Sequence, residues 1–306
     1  MFDKILKLLK DPKYRFDFLE SYKILNCLSD RAFLNYKWRV VFNKKLDLKN
    51  PKTFNEKLQW LKLYDRKKIY TTMVDKLEVK KQVASIIGDK YIIPTIGAYD
   101  DFNDIDLEKL PNRFVIKCTH DSGGLLIVKD KKRLDINEAK NKINKYLKVN
   151  YYYHGREWPY KNVKPRIILE KYLIDKKVAQ LMDYKFFCFD GKVKFFKIDY
   201  NRFTRHQANY YNIDGTLLRF GEEVCPPDFD KKIIMPTNLK KMMGLAEKLS
   251  TGIPFVRVDF YDVNGKIYFG EMTFFPASGF GKFIPEEWDA IIGEMIRLPM
   301  KKEKKQ

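Results

Sequence analysis

The chain of 306 residues carries 60 lysines and arginines against 40 aspartates and glutamates, a formal net charge of +20, and is 45% apolar. This apolar content supports a globular core and excludes an intrinsically disordered chain. The positive charge favours anionic partners such as nucleotides, acidic glycans or an anionic membrane surface, without choosing among them. Composition alone gives no reason to expect a nucleic-acid partner. We find neither a secretory signal nor a membrane-spanning stretch, and therefore expect a cytoplasmic protein.

The first ten residues predict a short helix with an apolar stripe beside a row of lysines. The apolar positions are Phe2, Ile5, Leu6 and Leu9, and the basic ones are Lys4, Lys7 and Lys10. Such a helix either lies at the inner surface of the membrane or packs on its own domain. Packing is the more common arrangement, and the sequence favours it.

Residues 1 to about 90 are predicted to be helical. Thr53 and Glu56 have the spacing of a capping box ahead of an apolar run. A broken apolar stripe runs from Asp75 to Ile87, and Gly88 is placed to end that helix. The N-terminal third therefore precedes the region in which strands begin.

Short strands predominate from Arg113 onward. Helices are predicted at Asp135–Val149 and Leu239–Leu249, between strands that do not alternate regularly with helices, which predicts an α+β fold. The predicted strands are Phe114–Cys118, Leu125–Val128, Arg166–Leu173, Tyr184–Phe189, Lys192–Ile198, Phe255–Val263 and Ile267–Phe275. Asp190-Gly191 and Asn264-Gly265 are predicted hairpin turns.

Two carboxylates fall on the strands that flank the Asn264-Gly265 turn. A strict two-residue turn would place Asp259 opposite Gly270 and send Glu271 to the other face, because side chains alternate along a strand. A three-residue loop with a bulge would bring Asp259 and Glu271 to one face. Converging carboxylates need a cation between them, and oxygen ligands favour magnesium. Two solvated hairpin acids are the alternative.

A lysine in the middle of a strand precedes a polar loop with two glycines. Lys117 must reach water or an anion, and the backbone N–H groups of Ser122, Gly123 and Gly124 follow it in the chain. Together they have the features of a phosphate-binding loop. An edge-strand lysine beside an ordinary hairpin loop is the alternative.

Two further strands carry acids in positions suited to a nucleotide. Glu170 lies in the predicted strand Ile168–Leu173, together with Lys171, and this strand runs out into polar residues, as at many adenine sites. Asp183 and Lys185, two residues apart, share one face of the next strand. An ion-paired strand rim explains these residues equally well when they are taken alone.

Taken in chain order, these segments resemble an ATP-grasp enzyme, and more closely the TupA-like branch of that superfamily. The similarity covers about residues 36–298. It is carried by Asn50–Lys57, Trp60–Asp65, Leu110–Lys117, His120–Gly124, Asp183–Gly191 and Gly270–Pro276. The resemblance implies two α+β lobes that sandwich ATP. It predicts a helical N-terminal region at 1–112, a small lobe with the phosphate loop at 113–173 and a large lobe with the magnesium site at 174–306.

The resemblance also implies a role for each matching residue. Lys76, Lys117 and the loop Ser122, Gly123 and Gly124 would hold the ATP phosphates, while Glu170, Lys171 and Leu173 would bind adenine. Asp183 would reach the ribose, with Lys185 beside it in the ATP site. Asp259, Glu271 and Thr273 would bind Mg2+, although many relatives have asparagine at the position of Thr273. Arg257, acting catalytically with Lys117, would stabilise the transferring phosphoryl group and the tetrahedral oxyanion.

The implied activity is ATP-dependent formation of an amide bond through an acyl phosphate. TupA-like enzymes resemble proteins of bacterial surface polysaccharide or teichuronopeptide synthesis, so the expected partners are an amino acid and an acidic sugar or polysaccharide precursor. Candidate substrate residues are His120, Arg202, Arg205 and His206, since arginine pairs with carboxylates. Two alternatives are a glycosyltransferase-like enzyme, for which Asp104 and Asp106 have a DxD spacing, and a non-enzymatic protein that binds acidic polymers.

Overall fold

The computed structural model describes residues 2–175, 181–201 and 204–300. Its helices are α1 Phe2–Lys10, α2 Pro12–Ser21, α3 Asp30–Phe42, α4 Phe54–Tyr64, α5 Ile69–Val74, α6 Glu78–Ile87, α7 Ile136–Leu147, α8 Tyr152–Gly155, α9 Leu239–Ser250 and α10 Trp288–Glu294. Its strands are β1 Thr95–Tyr99, β2 Phe114–Cys118, β3 Leu125–Val128, β4 Ile167–Lys171, β5 Asp183–Phe189, β6 Lys192–Tyr200, β7 Gln207–Asn212, β8 Leu217–Leu218, β9 Gly221–Glu222, β10 Phe255–Val263, β11 Lys266–Thr273 and β12 Phe283–Ile284.

The predicted helical character of the first 90 residues is confirmed, and local sequence sets several of the helix ends. The Thr53 hydroxyl accepts from the backbone N–H of Glu56, and the Glu56 carboxylate accepts from that of Thr53, which completes the capping box of α4. Gly88 ends α6 with φ +104°, a conformation that side chains disfavour. None of the helices in the described ranges is long and apolar enough to cross a membrane.

A four-stranded antiparallel sheet forms the smaller lobe, in the order β1-β4-β2-β3. Its core is separate from the main one and includes Phe114, Ile116 and Leu169, with Ala139 and Ile143 of α7 covering it. Because β1 lies at Thr95–Tyr99, the predicted boundary at residue 112 was wrong: it separates one strand from its sheet. β2 is an inner strand, so Lys117 is not an edge-strand lysine.

A six-stranded antiparallel sheet forms the larger lobe, in the order β11-β10-β5-β6-β7-β8, and β9 pairs with β12 beside it. The N-terminal helices share its core. Phe54 of α4 contacts Phe255 of β10 edge to face, with ring centroids 4.9 Å apart. The N-terminal region is therefore packed into the larger lobe and does not form a core of its own.

Candidate active site

The two carboxylates of the β10–β11 hairpin meet on one face of the sheet, as the magnesium prediction requires, but for a different reason. The turn has only two residues, because Val263 pairs with Lys266, and Asn264 and Gly265 both have positive φ. The shift comes from a bulge at Gly270, which brings Glu271 opposite Asp259 while Phe269 pairs with Phe260. The expectation that a three-residue loop is needed was wrong, since the bulge changes the alternation within the strand.

One cleft between the two sheets gathers most of the predicted nucleotide residues. The cavity has a volume of about 150 Å³. The smaller lobe contributes Lys117, Ser122, Gly124 and Glu170, the larger lobe contributes Asp183, Gly270 and Glu271, and Lys76 and Lys80 enter from the segment before and within α6. Residues far apart in the chain thus line a single space between facing sheets.

A buried carboxylate holds two lysines at the floor of this cleft. Glu170 is 4% exposed, and its two oxygens lie 2.6 Å from Lys117 Nζ and 2.5 Å from Lys80 Nζ. Burial opposes the charge on Lys117, but Glu170 outweighs it and raises the pKa of this lysine above its ordinary value. Burial likewise disfavours the Glu170 carboxylate, and the two lysines nonetheless hold its pKa below the ordinary value. Lys117 and Glu170 are therefore both charged at neutral pH.

Lys80 was missed by the sequence reasoning, although a signal was present. It follows Lys76 by four residues, the spacing that places two side chains on one side of a helix. Besides Glu170, its ammonium group donates to the Ile93 carbonyl and the Thr95 hydroxyl, both at 2.8 Å. Burial lowers the pKa of Lys80, against the effect of Glu170.

The loop that follows β2 is tightly packed around its glycines. The Lys76 ammonium donates to the Asp121 carbonyl, and the Asp121 carboxylate accepts from Gly124 N–H at 3.0 Å. A Cβ on Gly123 would lie 2.5 Å from the Tyr146 ring, and one on Gly124 would lie 2.5 Å from Cys118 Sγ. Glycine is thus needed for packing at both positions. Ser122 and Gly124 of this loop line the cleft.

Side chains of alternating charge lie next to one another across the larger sheet, and Asp259 of the carboxylate pair is one of them. Asp259, 1% exposed, accepts two hydrogen bonds from Arg257, both at 2.7 Å, and one from Lys185 at 2.8 Å. Lys185 also donates to Asp183 at 2.8 Å. Burial disfavours the Asp259 carboxylate, but Arg257 and Lys185 together lower its pKa. Asp259 is therefore ionised and held rigidly at neutral pH.

Arg257 links this series to the cleft. Its Nη2 donates to Glu271 Oε1 at 3.2 Å and to the Thr273 hydroxyl at 3.0 Å. Burial works against its charge, yet Asp259 and Glu271 raise its pKa further above the ordinary arginine value. One guanidinium thus organises all three residues of the predicted metal set.

The donor set at this point has the chemistry that magnesium prefers. Among the described residues, Asp259 Oδ1 accepts one side-chain hydrogen bond, from Arg257 Nε, and the Glu271 side chain is 46% exposed. Carboxylate and hydroxyl oxygens are hard ligands suited to Mg2+. The residues present fit the ion. They comprise two carboxylates and a hydroxyl. A metal cluster of a different kind, built from three or more His, Cys, Asp or Glu side chains, is not found within residues 2–175, 181–201 and 204–300.

The predicted substrate residues separate into different environments. His206 lies 3.2 Å from Asp199 Oδ2, and Arg205 is exposed. Arg202 lies outside the described residues. His120 was wrongly expected at the substrate site: it is 2% exposed, and its Nε2 lies 3.0 Å from the Val149 carbonyl, so it is committed to packing within the smaller lobe. Lys171 is the last residue of β4, where its N–H donates to the Pro94 carbonyl, and Leu173 lies two residues beyond it.

Comparison with known families identifies the arrangement. A model of the TupA-like ATP-grasp family matches residues 56–297, which is most of the chain and includes both sheets and the cleft between them. The chain belongs to the TupA-like ATP-grasp family. The two antiparallel sheets are accordingly the two lobes of an ATP-grasp fold, preceded by a helical N-terminal region. This TupA-like protein is an ATP-dependent ligase of the carboxylate–amine class.

Solved ATP-grasp structures resemble this TupA-like protein at low identity. The D-alanine–D-alanine ligase of Helicobacter pylori is 14% identical with a TM-score of 0.45, and the alignment covers 81% of this chain and 70% of that one. The corresponding Bacillus anthracis ligase, solved with ATP, is 19% identical with a TM-score of 0.37 and coverages of 66% and 53%. The biotin carboxylase domain of Hydrogenobacter thermophilus 2-oxoglutarate carboxylase, solved with MgADP and bicarbonate, is 15% identical with a TM-score of 0.42 and coverages of 77% and 48%.

The TupA-like chain thus spans about half the length of the second and third of these proteins. A search of curated protein sequences gave no match. The family assignment rests on the sequence match over residues 56–297.

Proposed function

We propose that this protein joins an amino acid to the carboxylate of an acidic sugar, or of an acidic unit in a surface polysaccharide precursor, with ATP as the source of energy. The observation that carries the proposal is the shared cleft, in which Lys117 and Glu170 of one sheet face Asp183 and Glu271 of the other. Cationic and anionic groups of this kind are what a magnesium nucleotide requires on both sides.

The nucleotide is assigned to this cleft by charge. Lys76 and Lys117 would hold the phosphates, together with backbone N–H groups of Ser122, Gly123 and Gly124. Glu170 and the backbone of Lys171 and Leu173 would bind adenine, and Asp183 with Lys185 would face the ribose side. A cavity of about 150 Å³ is smaller than the 300–1,000 Å³ usual for ligand pockets, so the lobes would move apart as the nucleotide enters.

Binding of the phosphates would require Lys117 to change partners. Its ammonium is 2.6 Å from Glu170, and an arriving triphosphate would compete for it. Lys80 remains 2.5 Å from the same carboxylate and would keep Glu170 neutralised. The second lysine thereby removes the penalty that an unpaired buried carboxylate would otherwise incur.

The reaction would proceed in two balanced steps. A carboxylate oxygen of the first substrate attacks the γ-phosphorus, the bond to the β-phosphate oxygen breaks and ADP leaves. The amine then attacks the acyl carbon, inorganic phosphate leaves with the bonding electrons, and the nitrogen loses a proton. Arg257 would stabilise the negative charge that develops in both steps, since it is fixed by Asp259 beneath the cleft.

Magnesium would be held by Asp259, Glu271 and Thr273. When bound, the ion supplies charge neutralisation and polarises phosphoryl oxygens. The protein's own part is to keep Asp259 ionised, through Arg257 and Lys185, and to present Glu271 to the cleft through the bulge at Gly270.

The acidic character of the sugar is inferred from charge outside the nucleotide cleft. Arg205 is exposed, and His206 beside it contacts Asp199, which is 3.8 Å from Lys185. These groups would receive a uronic carboxylate, because arginine binds carboxylates with two parallel hydrogen bonds. The net charge of +20 would attract such a substrate from a distance.

A glycosyltransferase-like activity has less support from the geometry. Asp104 and Asp106 are both exposed, and Asp106 is paired with Lys109 at 2.8 Å, so their DxD spacing lies on a surface loop. A passive polymer-binding role would leave unexplained why a buried Glu170 is paired with a half-buried Lys117 between two sheets.

The test is ADP release from MgATP, measured against a panel of uronic acids combined with a panel of amino acids. The proposal predicts ADP release that depends on one member of each panel, with a product whose mass is the sum of the two minus one water. ATP turnover that needs amino acids alone, with a dipeptide product, would refute the sugar assignment and leave the ligase assignment intact. Release of a nucleoside diphosphate from a nucleotide sugar would refute both.

A further inference from the structure

Two apolar side chains of the helix α1, Leu6 and Leu9, are exposed to solvent. Leu9 is 69% exposed and Leu6 is 43% exposed, whereas Leu8 is half-buried against the remainder of the chain. Residues three apart on a helix share a face, so Leu6 and Leu9 form one outward stripe. Burying such side chains is favourable, and a stripe left in water indicates a surface that is covered by something else.

The orientation of α1 is fixed by contacts that do not use this stripe. Arg15 of α2 donates through Nε to the Leu8 carbonyl at 2.7 Å and through Nη2 to the Leu9 carbonyl at 2.6 Å. Asp11 then accepts from the backbone N–H groups of Lys13 and Tyr14 and begins α2. The helix is therefore held by its C-terminal carbonyls. Leu6 and Leu9 do not pack on their own domain, which was the alternative that the sequence favoured.

Basic side chains border the stripe. Lys4, Lys7 and Lys10 are all exposed, and Lys13 follows them in the exposed start of α2. Residues 2–15 contain five basic residues (Lys4, Lys7, Lys10, Lys13, Arg15) and two acidic ones (Asp3, Asp11). Lysine stems lie along an apolar boundary while their ammonium groups reach the charged layer above it.

We propose that α1 lies in the plane of an anionic lipid surface, with Leu6 and Leu9 in the apolar boundary and Lys4, Lys7 and Lys10 among the headgroups. The outward apolar stripe is short and is flanked by lysines. This combination fits an anionic bilayer better than a protein partner. This places the catalytic lobes beside the membrane without a membrane-spanning segment. The inference is independent of the substrate proposed above.

The first experiment is sedimentation of the full chain with two kinds of vesicle. Vesicles of phosphatidylcholine with phosphatidylglycerol should bind the protein, and vesicles of phosphatidylcholine alone should bind it much more weakly. The triple variant Lys4→Gln, Lys7→Gln, Lys10→Gln should lose on the order of 100-fold in affinity, at about fivefold for each lysine. The double variant Leu6→Ser, Leu9→Ser should also weaken binding.

The matched control is Lys132→Gln, Lys142→Gln, Lys145→Gln, which removes the same charge from exposed positions elsewhere. It should bind as the wild type does. Equal loss in the control and in the α1 variant would overturn the proposal, because diffuse charge would then carry binding. Absence of wild-type binding, or full binding by the leucine variant, would overturn it too.

A second measurement reports position directly. A polarity-sensitive dye on Leu9→Cys, in a Cys27→Ser background because Cys27 is the exposed cysteine, should shift to the blue when anionic vesicles are added. The same dye on Lys142→Cys should not shift. A vesicle-bound protein whose dye at position 9 stays in water would contradict an interfacial α1.

Discussion

Glu170 is a buried carboxylate that lines the cleft between the two sheets. It holds Lys117 and Lys80 at once, so the loss of one lysine leaves the other to neutralise it. This sharing separates the requirements of folding from those of catalysis. Under the proposed function, Lys117 would be released to a phosphate while Lys80 keeps Glu170 paired.

The substitution Lys117→Ala should strongly reduce turnover while the fold is retained. Removing one well-aimed donor typically raises the barrier by about 2.7–4 kcal/mol, so ATP turnover should fall by about 10²- to 10³-fold. Lys80 keeps Glu170 paired, and the thermal midpoint should change little. ADP release and thermal unfolding measure the two effects, with Lys129→Ala, an exposed lysine at the end of β3, as the control. Wild-type turnover in Lys117→Ala would remove this lysine from the site.

The substitution Glu170→Gln should make stability less dependent on acid pH. The pKa of Glu170 is lowered by its two lysines, so its contribution is full above the unfolded carboxyl pKa of about 4.3 and is lost as pH falls through the folded value. At neutral pH the free energy of unfolding of the variant should be lower by about 3 kcal/mol, because two half-buried ammonium groups lose their buried carboxylate partner.

Urea unfolding at several pH values, from neutral to acid, measures this difference. The gap between wild type and Glu170→Gln should narrow as the pH drops. A gap that stays constant across the series would show that Glu170 is not ionised in the folded protein.

Individual residues were predictable where local spacing decides their position. Glu170, Lys117 and Asp183 were found from the strands that carry them, and Lys80 was within reach through its spacing from Lys76. His120 was not predictable, because its burial depends on Val149, which lies 29 residues away and is brought near only by packing of the smaller lobe.

At the scale of elements, the β10–β11 hairpin determines whether a metal site exists. The capping box at Thr53 and the turns at Asp190-Gly191 and Asn264-Gly265 could be predicted because each is encoded within a few residues. The bulge at Gly270 could not, since it depends on how β11 is matched against β10 across the sheet. A one-residue change in this match moves Glu271 to the opposite face.

Two glycine substitutions separate the bulge from the turn. A Cβ on Gly270 would lie 3.1 Å from the Asp259 carbonyl and 3.2 Å from the Tyr261 ring, so Gly270→Ala should displace Glu271 and raise the Mg2+ concentration needed for turnover. Gly265→Ala meets no neighbouring atom but has φ +77°, and should cost about 1–2 kcal/mol of stability at unchanged Mg2+ dependence.

Magnesium titrations of ATP turnover and urea unfolding of both variants test this pair. An unchanged Mg2+ requirement in Gly270→Ala would mean that the bulge does not position a metal ligand. A raised requirement in Gly265→Ala would mean that the turn, and not the bulge, controls the site.

For the whole molecule, the distribution of cores matters most. The N-terminal helices and the six-stranded sheet share one core, and the smaller sheet has its own. Composition and strand patterns predicted the α+β class, and family resemblance predicted two lobes. Which lobe the N-terminal helices join could not be read from local patterns, because it is decided by contacts such as Phe54 with Phe255.

The substitution Phe54→Ala tests this shared core. Phe54 is 2% exposed, and its removal should destabilise the protein by about 3–5 kcal/mol through lost burial and a cavity. Ile234→Ala, at a position 91% exposed, should change stability by less than about 0.5 kcal/mol. Denaturant unfolding followed by circular dichroism measures both. A small effect of Phe54→Ala would show that the helices are only loosely attached.

Protection of the chain by MgATP against thermal unfolding tests directly whether the two lobes form one nucleotide site. A ligand at about 100 times its dissociation constant should stabilise the wild type by about 2.7 kcal/mol. Glu271→Ala should lose the part of this protection that depends on Mg2+, and Lys117→Ala should lose most of the part that depends on ATP. A wild type that MgATP does not stabilise, or variants protected as well as the wild type, would contradict a nucleotide site between these sheets.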